Sequence, residues 1–178
     1  GSVLNGICEK LIRRHPHIYG DTLAEDEATV KANWEQIKLK EKGNTSVLGG
    51  VPRSLPALVK AMRIQEKASG IGFDWENGEQ VWSKVEEEIK EFKAEMQAER
   101  VDSKRKNEEF GDVLFSLINY ARFQGINPEE ALERTNKKFI KRFQYLERAS
   151  KKEGKLLSEM TLSEMDIYWE EAKKGEKN

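Results

Sequence analysis

The chain has 178 residues, 35% of them charged and 37% hydrophobic, and its 31 basic and 32 acidic side chains leave a net charge of −1. This length suits one well-cored domain with an appendage rather than two full domains, and the balanced charge excludes a general field for nucleic-acid polymers or membrane surfaces. A single cysteine, Cys8, excludes an internal disulfide or a thiolate metal site, and no apolar run approaches the roughly 20 residues of a membrane span, so a cytoplasmic protein is expected.

No strand-like alternation is visible, which predicts an all-α class. The Gly1-Ser2 start, without an initiator Met, reads as the scar of a cleaved tag on a fragment of something longer. Leu4 to Arg14 forms a first helix that stops before His15-Pro16-His17, read as a loop because proline disfavours helical geometry in the residue before it. Asp26 to Lys42 forms a second, with the narrow stripe Val30, Trp34 and Ile37. Gly43 to Pro52 marks a linker, so residues 3–50 are assigned to a helical segment plus linker and 51–178 to the main domain. Ser54 is expected to cap a helix to about Lys67, with Pro56 in its first turn and Leu58, Ala61, Met62 and Gln65 along it. Ser69-Gly70-Ile71-Gly72 breaks that helix, and Phe73 and Trp75 are expected to seal the end of a bundle.

From Gln80 to about Arg100, Val81, Trp82, Val85, Ile89, Phe92 and Met96 fall within about 100° of arc. Glu88, Glu91 and Glu95 lie beside that stripe, and Glu87 slightly farther round. Ser103 to Phe123 repeats the arrangement: Phe110, Val113, Leu114, Leu117, Ile118 and Ala121 form the stripe, and Glu109, Asp112, Ser116 and Asn119 line one edge. Gly111 in mid-helix costs about 1 kcal/mol against Ala, which predicts close approach of another helix there. Asn127 caps the next helix, with Pro128 at its first position and Glu130 completing a capping box, and it runs to about Lys152. Its stripe is Leu132, Thr135, Phe139, Phe143 and Leu146, with Lys138 and Arg142 sharing a face at the edge. Thr161 and Glu164 form a last capping box for a helix through Lys174, with Leu162, Met165 and Trp169 on one side and Lys173 a turn beyond Trp169; the tail from Gly175 is expected to fray.

The two acid clusters, Glu87-Glu88 with Glu91 and Glu109 with Asp112, carry the chemistry. Acids at the borders of two core stripes can meet across an antiparallel helix pair, where they repel one another unless a cation sits between them. Carboxylates without a helical histidine suit Mg²⁺ or Mn²⁺ rather than Zn²⁺, copper or a di-iron centre. A cation so held keeps positions open for water and phosphate, which points to phosphoanhydride or phosphate-ester chemistry. Lys138 and Arg142 are candidates to neutralise phosphate oxygens, against a plain solvated basic face. Trp169 beside Lys173 can stack on a base, against the commoner role of a core tryptophan.

These residues resemble the MazG family of nucleoside triphosphate pyrophosphohydrolases, in the all-α NTP pyrophosphatase superfamily. The resemblance rests on Glu-Glu-x-x-Glu at Glu87, Glu88 and Glu91 and on Glu-x-x-Asp at Glu109 and Asp112. It extends through Val51 to Leu58, Gly72 to Trp75, Gly111 to Phe115 with Asn119 to Arg122, and Asn136 to Phe143, nearly the whole of residues 51–174. It implies a four-helix-bundle-type domain whose helices pack in a homodimer, and hydrolysis of a nucleoside triphosphate to monophosphate and pyrophosphate. Mg²⁺ is then held by Glu87 or Glu88, Glu91, Glu109 and Asp112, with Glu88 or Glu91 in the catalytic role. Asn119, Lys138, Arg142, Trp169 and Lys173 would contact the nucleotide. Residues 4–42 resemble only the end of an upstream copy of the same domain, without its acid motif. The alternatives are a dUTP-, dCTP- or phosphoribosyl-ATP-type pyrophosphohydrolase, or a non-catalytic nucleotide-binding or dimerisation module.

Overall fold

The structure is a computed structural model that describes residues 2–14, 16–19, 46–98 and 102–176, and all the regular structure among them is helical. In chain order the α-helices are α1 (Ser2–Arg14), α2 (Pro16–Tyr19), α3 (Ala57–Ser69), α4 (Gly78–Gln97), α5 (Ser103–Phe123), α6 (Pro128–Lys152) and α7 (Leu162–Gly175). None of them is long and apolar enough to cross a membrane. The helix expected over Asp26–Lys42 lies outside the described residues, as does His15. Where a loop was expected around Pro16, that proline instead opens the single turn α2, a position proline tolerates because its missing N–H has no helical partner there.

The chain divides into two compact units, Gly1–Ile126 and Asn127–Asn178. In the first, α4 and α5 pack side by side. Trp82 meets Tyr120 at 4.9 Å between ring centroids, Phe92 meets Phe110 at 5.5 Å, and Glu95 meets Arg105 at 3.5 Å. Residue numbers rise on one helix as they fall on the other, so the pair is antiparallel. Val81 and Val85 of α4 are fully buried, with Val113 and Ile118 of α5 and Ala61 of α3 beside them in the core. Helix α3 starts at Ala57 with Pro56 in the cap position and no side-chain cap bond, so the cap lies two residues after the expected Ser54. Proline disfavours helical geometry in the residue before it, and Pro56 itself is extended at ψ 146°, so the helix begins only after it. Gly72, at φ +88°, lets the chain turn out of α3, and Phe73 and Trp75 are exposed rather than sealing a bundle end.

Asn77 caps α4, its Oδ1 accepting from the Gln80 N–H at 3.0 Å, and Asp102 caps α5 in the same way through the Lys104 N–H. The close approach expected at Gly111 is found at Gly78 instead. A Cβ on Gly78 would lie 3.2 Å from Gln124 Nε2, whereas one on Gly111 would meet nothing within 4 Å. Phe110, Leu114 and Leu117, which complete the α5 stripe, stay exposed in the single chain.

In the second unit, Asn127 caps α6 by accepting from the Glu129 and Glu130 N–H groups, but Glu130 reaches forward to Arg134 at 2.5 Å instead of closing a capping box. Thr161 and Glu164 do form the reciprocal box on α7. Leu146 and Ser150 are buried on α6, and Tyr168 and Ala172 on α7, so α7 buries a face next to the expected one while Leu162 stays in water. Of the tail expected to fray, Gly175 closes α7 and Glu176 is held by Arg142, while residues 177 and 178 lie outside the described residues.

Candidate active site

The acids gather where α4 and α5 face each other. One carboxylate oxygen each from Glu88, Glu91 and Glu109 lies within 4.8 Å of the other two. Helical spacing brings Glu88 and Glu91 onto one face, and the antiparallel register brings Glu109 opposite them. Glu88 is buried, Glu109 half-buried and Glu91 exposed. Partial burial, followed by the charges of Glu91, Asp112, Glu88 and Glu95, holds the Glu109 carboxyl above its ordinary range. Asp112, one turn on from Glu109, therefore belongs to the same negative field, though its carboxylate stands outside the trio. So does Glu87, which turns to Lys84 Nζ at 2.9 Å. The same ammonium lies 2.7 Å from Glu88, and its bonds to Glu87 and then Glu88 hold its proton well above the ordinary lysine range. Sequence reading missed Lys84, although its spacing three and four residues before these acids was the signal.

The donor set fits a hard dication. Opposite ligands of Mg²⁺ lie about 4.2 Å apart, so three carboxylate oxygens inside 4.8 Å span one coordination sphere after small side-chain rotations. All three donors are carboxylate oxygens, and the charges of Glu91, Asp112 and Glu88, which add to the burial that raises Glu109, are a repulsion that a cation between them would relieve.

Asn119 lies farther along α5. Its Oδ1 accepts from Arg122 Nε at 3.1 Å and Nη2 at 2.9 Å, and the guanidinium also grips Asp74 at 2.9 and 2.5 Å. Burial pushes the Asp74 carboxyl up, but hydrogen bonds from Arg122, Ser69 and the Trp75 N–H, with the Arg122 charge, outweigh it and hold the group below its ordinary value. Asn119 is thus a fixed side chain at the wall of a cavity of about 650 Å³. Neither the Asp74 pair nor this cavity was legible in the sequence.

In the second unit, Arg142 and Trp169 come together: the guanidinium stands 5.8 Å from the indole centroid, and Phe139 packs on the same indole at 5.0 Å. Glu176 Oε2 accepts from Arg142 Nε at 3.0 Å and Nη2 at 2.7 Å. Bonding to Arg142 outweighs partial burial and, with the fields of Lys141 and Lys138, keeps the Glu176 carboxyl below its ordinary value. Lys138 itself is exposed, and Lys173 pairs with Glu170 at 2.6 Å.

Residues 76–146 match the model of the MazG nucleotide pyrophosphohydrolase domain. The chain is 44% identical over 176 residues to the nucleoside triphosphate pyrophosphohydrolase/pyrophosphatase MazG of Thermotoga maritima, covering 98% of this chain and 66% of that protein. It is 41% identical over 179 residues to the nucleoside triphosphate pyrophosphohydrolase of Escherichia coli, covering 97% and 68%. An uncharacterized protein of Bacillus subtilis, YabN, is 50% identical over 177 residues, which make up 36% of its length. The chain thus spans about two thirds of the two named enzymes. With a matching domain model that contains both acid clusters and this identity along almost its whole length, the chain belongs to the MazG family of nucleoside triphosphate pyrophosphohydrolases, hydrolases acting on phosphoanhydride bonds.

Proposed function

We propose that this chain hydrolyses a nucleoside triphosphate to the monophosphate and pyrophosphate with Mg²⁺ as its metal, Mn²⁺ serving in its place. The observation that carries the reading is the trio Glu88, Glu91 and Glu109, backed by the negative field of Asp112. These four would hold the ion, with Glu87 joining once Lys84 lets it go. Bound there, Mg²⁺ supplies an activated water and neutralises phosphate oxygens. Glu88 or Glu91 orients that water and takes its proton; the new P–O bond forms as the bond to pyrophosphate breaks and the leaving group departs with the electron pair. Lys138 and Arg142 bind phosphate oxygens, for which Glu176 must release the guanidinium. Trp169 keeps that guanidinium seated over its ring, Lys173 lies near the nucleotide, and Asn119 contacts it from α5. The catalytic domain is residues 51–178, a four-helix-bundle-type fold that works as a cytoplasmic homodimer. The uncovered Phe110, Leu114 and Leu117 around Gly111 supply the face for a second copy.

Incubating one nucleoside triphosphate with Mg²⁺ and separating the products tests the reaction. Monophosphate and pyrophosphate in equal amounts are expected, and orthophosphate without pyrophosphate sinks the reading. Asp112→Asn, which removes charge but not bulk from an exposed position, abolishes turnover and leaves the helical circular dichroism unchanged. Tight nucleotide binding with no turnover in the unaltered chain would instead favour a binding module.

A further inference from the structure

An acidic residue stands where α7 ends, and helix electrostatics do not favour it there. Glu176 follows the last helical residue, Gly175, at the negative end of the helix dipole, where the preceding turn carries the cations Lys173 and Lys174 that such an end prefers. Its carboxylate is accounted for by α6 instead. Oε2 accepts from both Nε and Nη2 of Arg142, at 3.0 and 2.7 Å, and Lys141 Nζ lies 4.0 Å from Oε1. Lys138, one turn before Arg142, adds its field to the same carboxylate. Three cations of α6 thus act on one anion at the end of α7. The pair is largely withdrawn from water, with 18% of the Arg142 side chain exposed and 20% of Glu176. The guanidinium also stands 5.8 Å from the Trp169 ring centre, so it rests against an aromatic ring while one edge, two N–H donors side by side, is filled by the carboxylate. Such a fork suits phosphate oxygens as well as it suits a carboxylate.

We propose that Glu176 is a latch: it occupies the phosphate site of Arg142 when no nucleotide is bound, and an incoming polyphosphate displaces it. This rests on the pyrophosphohydrolase reading for the identity of the phosphate, and adds a control on how that site is filled. One carboxylate charge leaves the Arg142 fork and phosphate oxygens of greater charge take its place, while Trp169 keeps the guanidinium seated. An internal anion that must be displaced lowers the apparent affinity of a ligand by the fraction of chains in which the fork is free. A ligand with a single negative charge gains little from the exchange, whereas a triphosphate gains with each further charge that Lys138 and Lys141 neutralise. The latch therefore sets a threshold of ligand charge, and its return refills the fork as products depart.

Calorimetry of the full chain with inorganic tripolyphosphate tests the latch. It is run without divalent metal, so that binding reads the cations of α6, and at low ionic strength, where charge pairs are least screened. Glu176→Gln, which keeps the bulk and removes the charge, should bind about fivefold tighter than the unaltered chain. Glu171→Gln removes the same charge from α7 at a carboxylate that bonds Tyr145 instead, and should leave the affinity unchanged. In an Arg142→Gln background the Glu176 substitution should gain nothing, since the two residues act as one pair. Glu176→Asp, one methylene shorter, keeps the charge but slackens the grip, and carries the test through an intermediate gain if the Glu176→Gln protein melts early. Glu176 variants that bind tripolyphosphate no tighter than the unaltered chain overturn the latch, and so does an equal gain in Glu171→Gln or a gain that survives the loss of Arg142. Pyrophosphate release from a triphosphate with Mg²⁺ is scored separately, so the latch can fall while the reaction stands, and the tighter tripolyphosphate binding can hold in a chain that releases no pyrophosphate.

Discussion

Glu88 is the residue on which the site turns, because it is the one buried carboxylate of the trio and is balanced by a single ammonium. Lys84→Met leaves that carboxylate without its counter-charge. The metal-free protein should lose about 1 kcal/mol by thermal melting, less than a fully buried pair would cost because the ammonium is partly solvated, and saturating Mg²⁺ should narrow the difference. The Asp74–Arg122 pair gives a second residue-level test with a defined sign. Asp74 titrates lower in the folded chain than in the unfolded one, so its stabilisation is present above the ordinary carboxylate value of 3.8 and is lost as the pH falls through its lower folded value. Asp74→Asn should therefore melt earlier at pH 7, by about 1–2 kcal/mol, and the gap to the unaltered protein should close in strong acid. At this scale the sequence was informative about Glu88, Glu91 and Glu109, because helical spacing alone placed them at the borders of core stripes. It was silent on Glu176 and Asp74, since their roles come from partners 34 and 48 residues away that no local period encodes.

Helices with their own punctuation were read most closely. Helix α5 runs over Ser103–Phe123 and α6 over Pro128–Lys152, the expected bounds, because cap residues sit directly before each. Asn127→Ala should cost about 1 kcal/mol in a denaturant titration of the chain, since two α6 N–H groups lose their acceptor together. The start of α3 was misplaced because a plausible serine cap was weighed above the constraint that proline puts on the residue before it. Phe73 and Trp75 were misread as a seal because apolar character was taken to mean burial, whereas these rings stand at the wall of a cavity. Gly111 has no close neighbour within one chain, where the close approach is at Gly78 instead, so its expected partner helix is not one of this chain's described helices.

At the scale of the whole molecule, the all-α class was legible from periodicity, but the pairing of surfaces was not, because a stripe records that a face is apolar and not what covers it. The exposed Phe110, Leu114 and Leu117 are the test. Leu117→Asp, on a side chain the single chain leaves 39% exposed, should convert the proposed homodimer to monomer by sedimentation velocity while the α-helical signal persists. A monomeric unaltered protein would remove the dimer from the picture. Lys84 has a consequence at this scale as well. Domains built around a structural metal collapse when it is stripped, because unpaired ligands then repel. Here an ammonium carried by the chain already sits among the acids. With the proposed ion removed, that ammonium should keep the acids together, so the metal-free chain is expected to stay folded. Chelation should silence the protein reversibly, and restoring divalent ion should restart it at once, with no refolding lag.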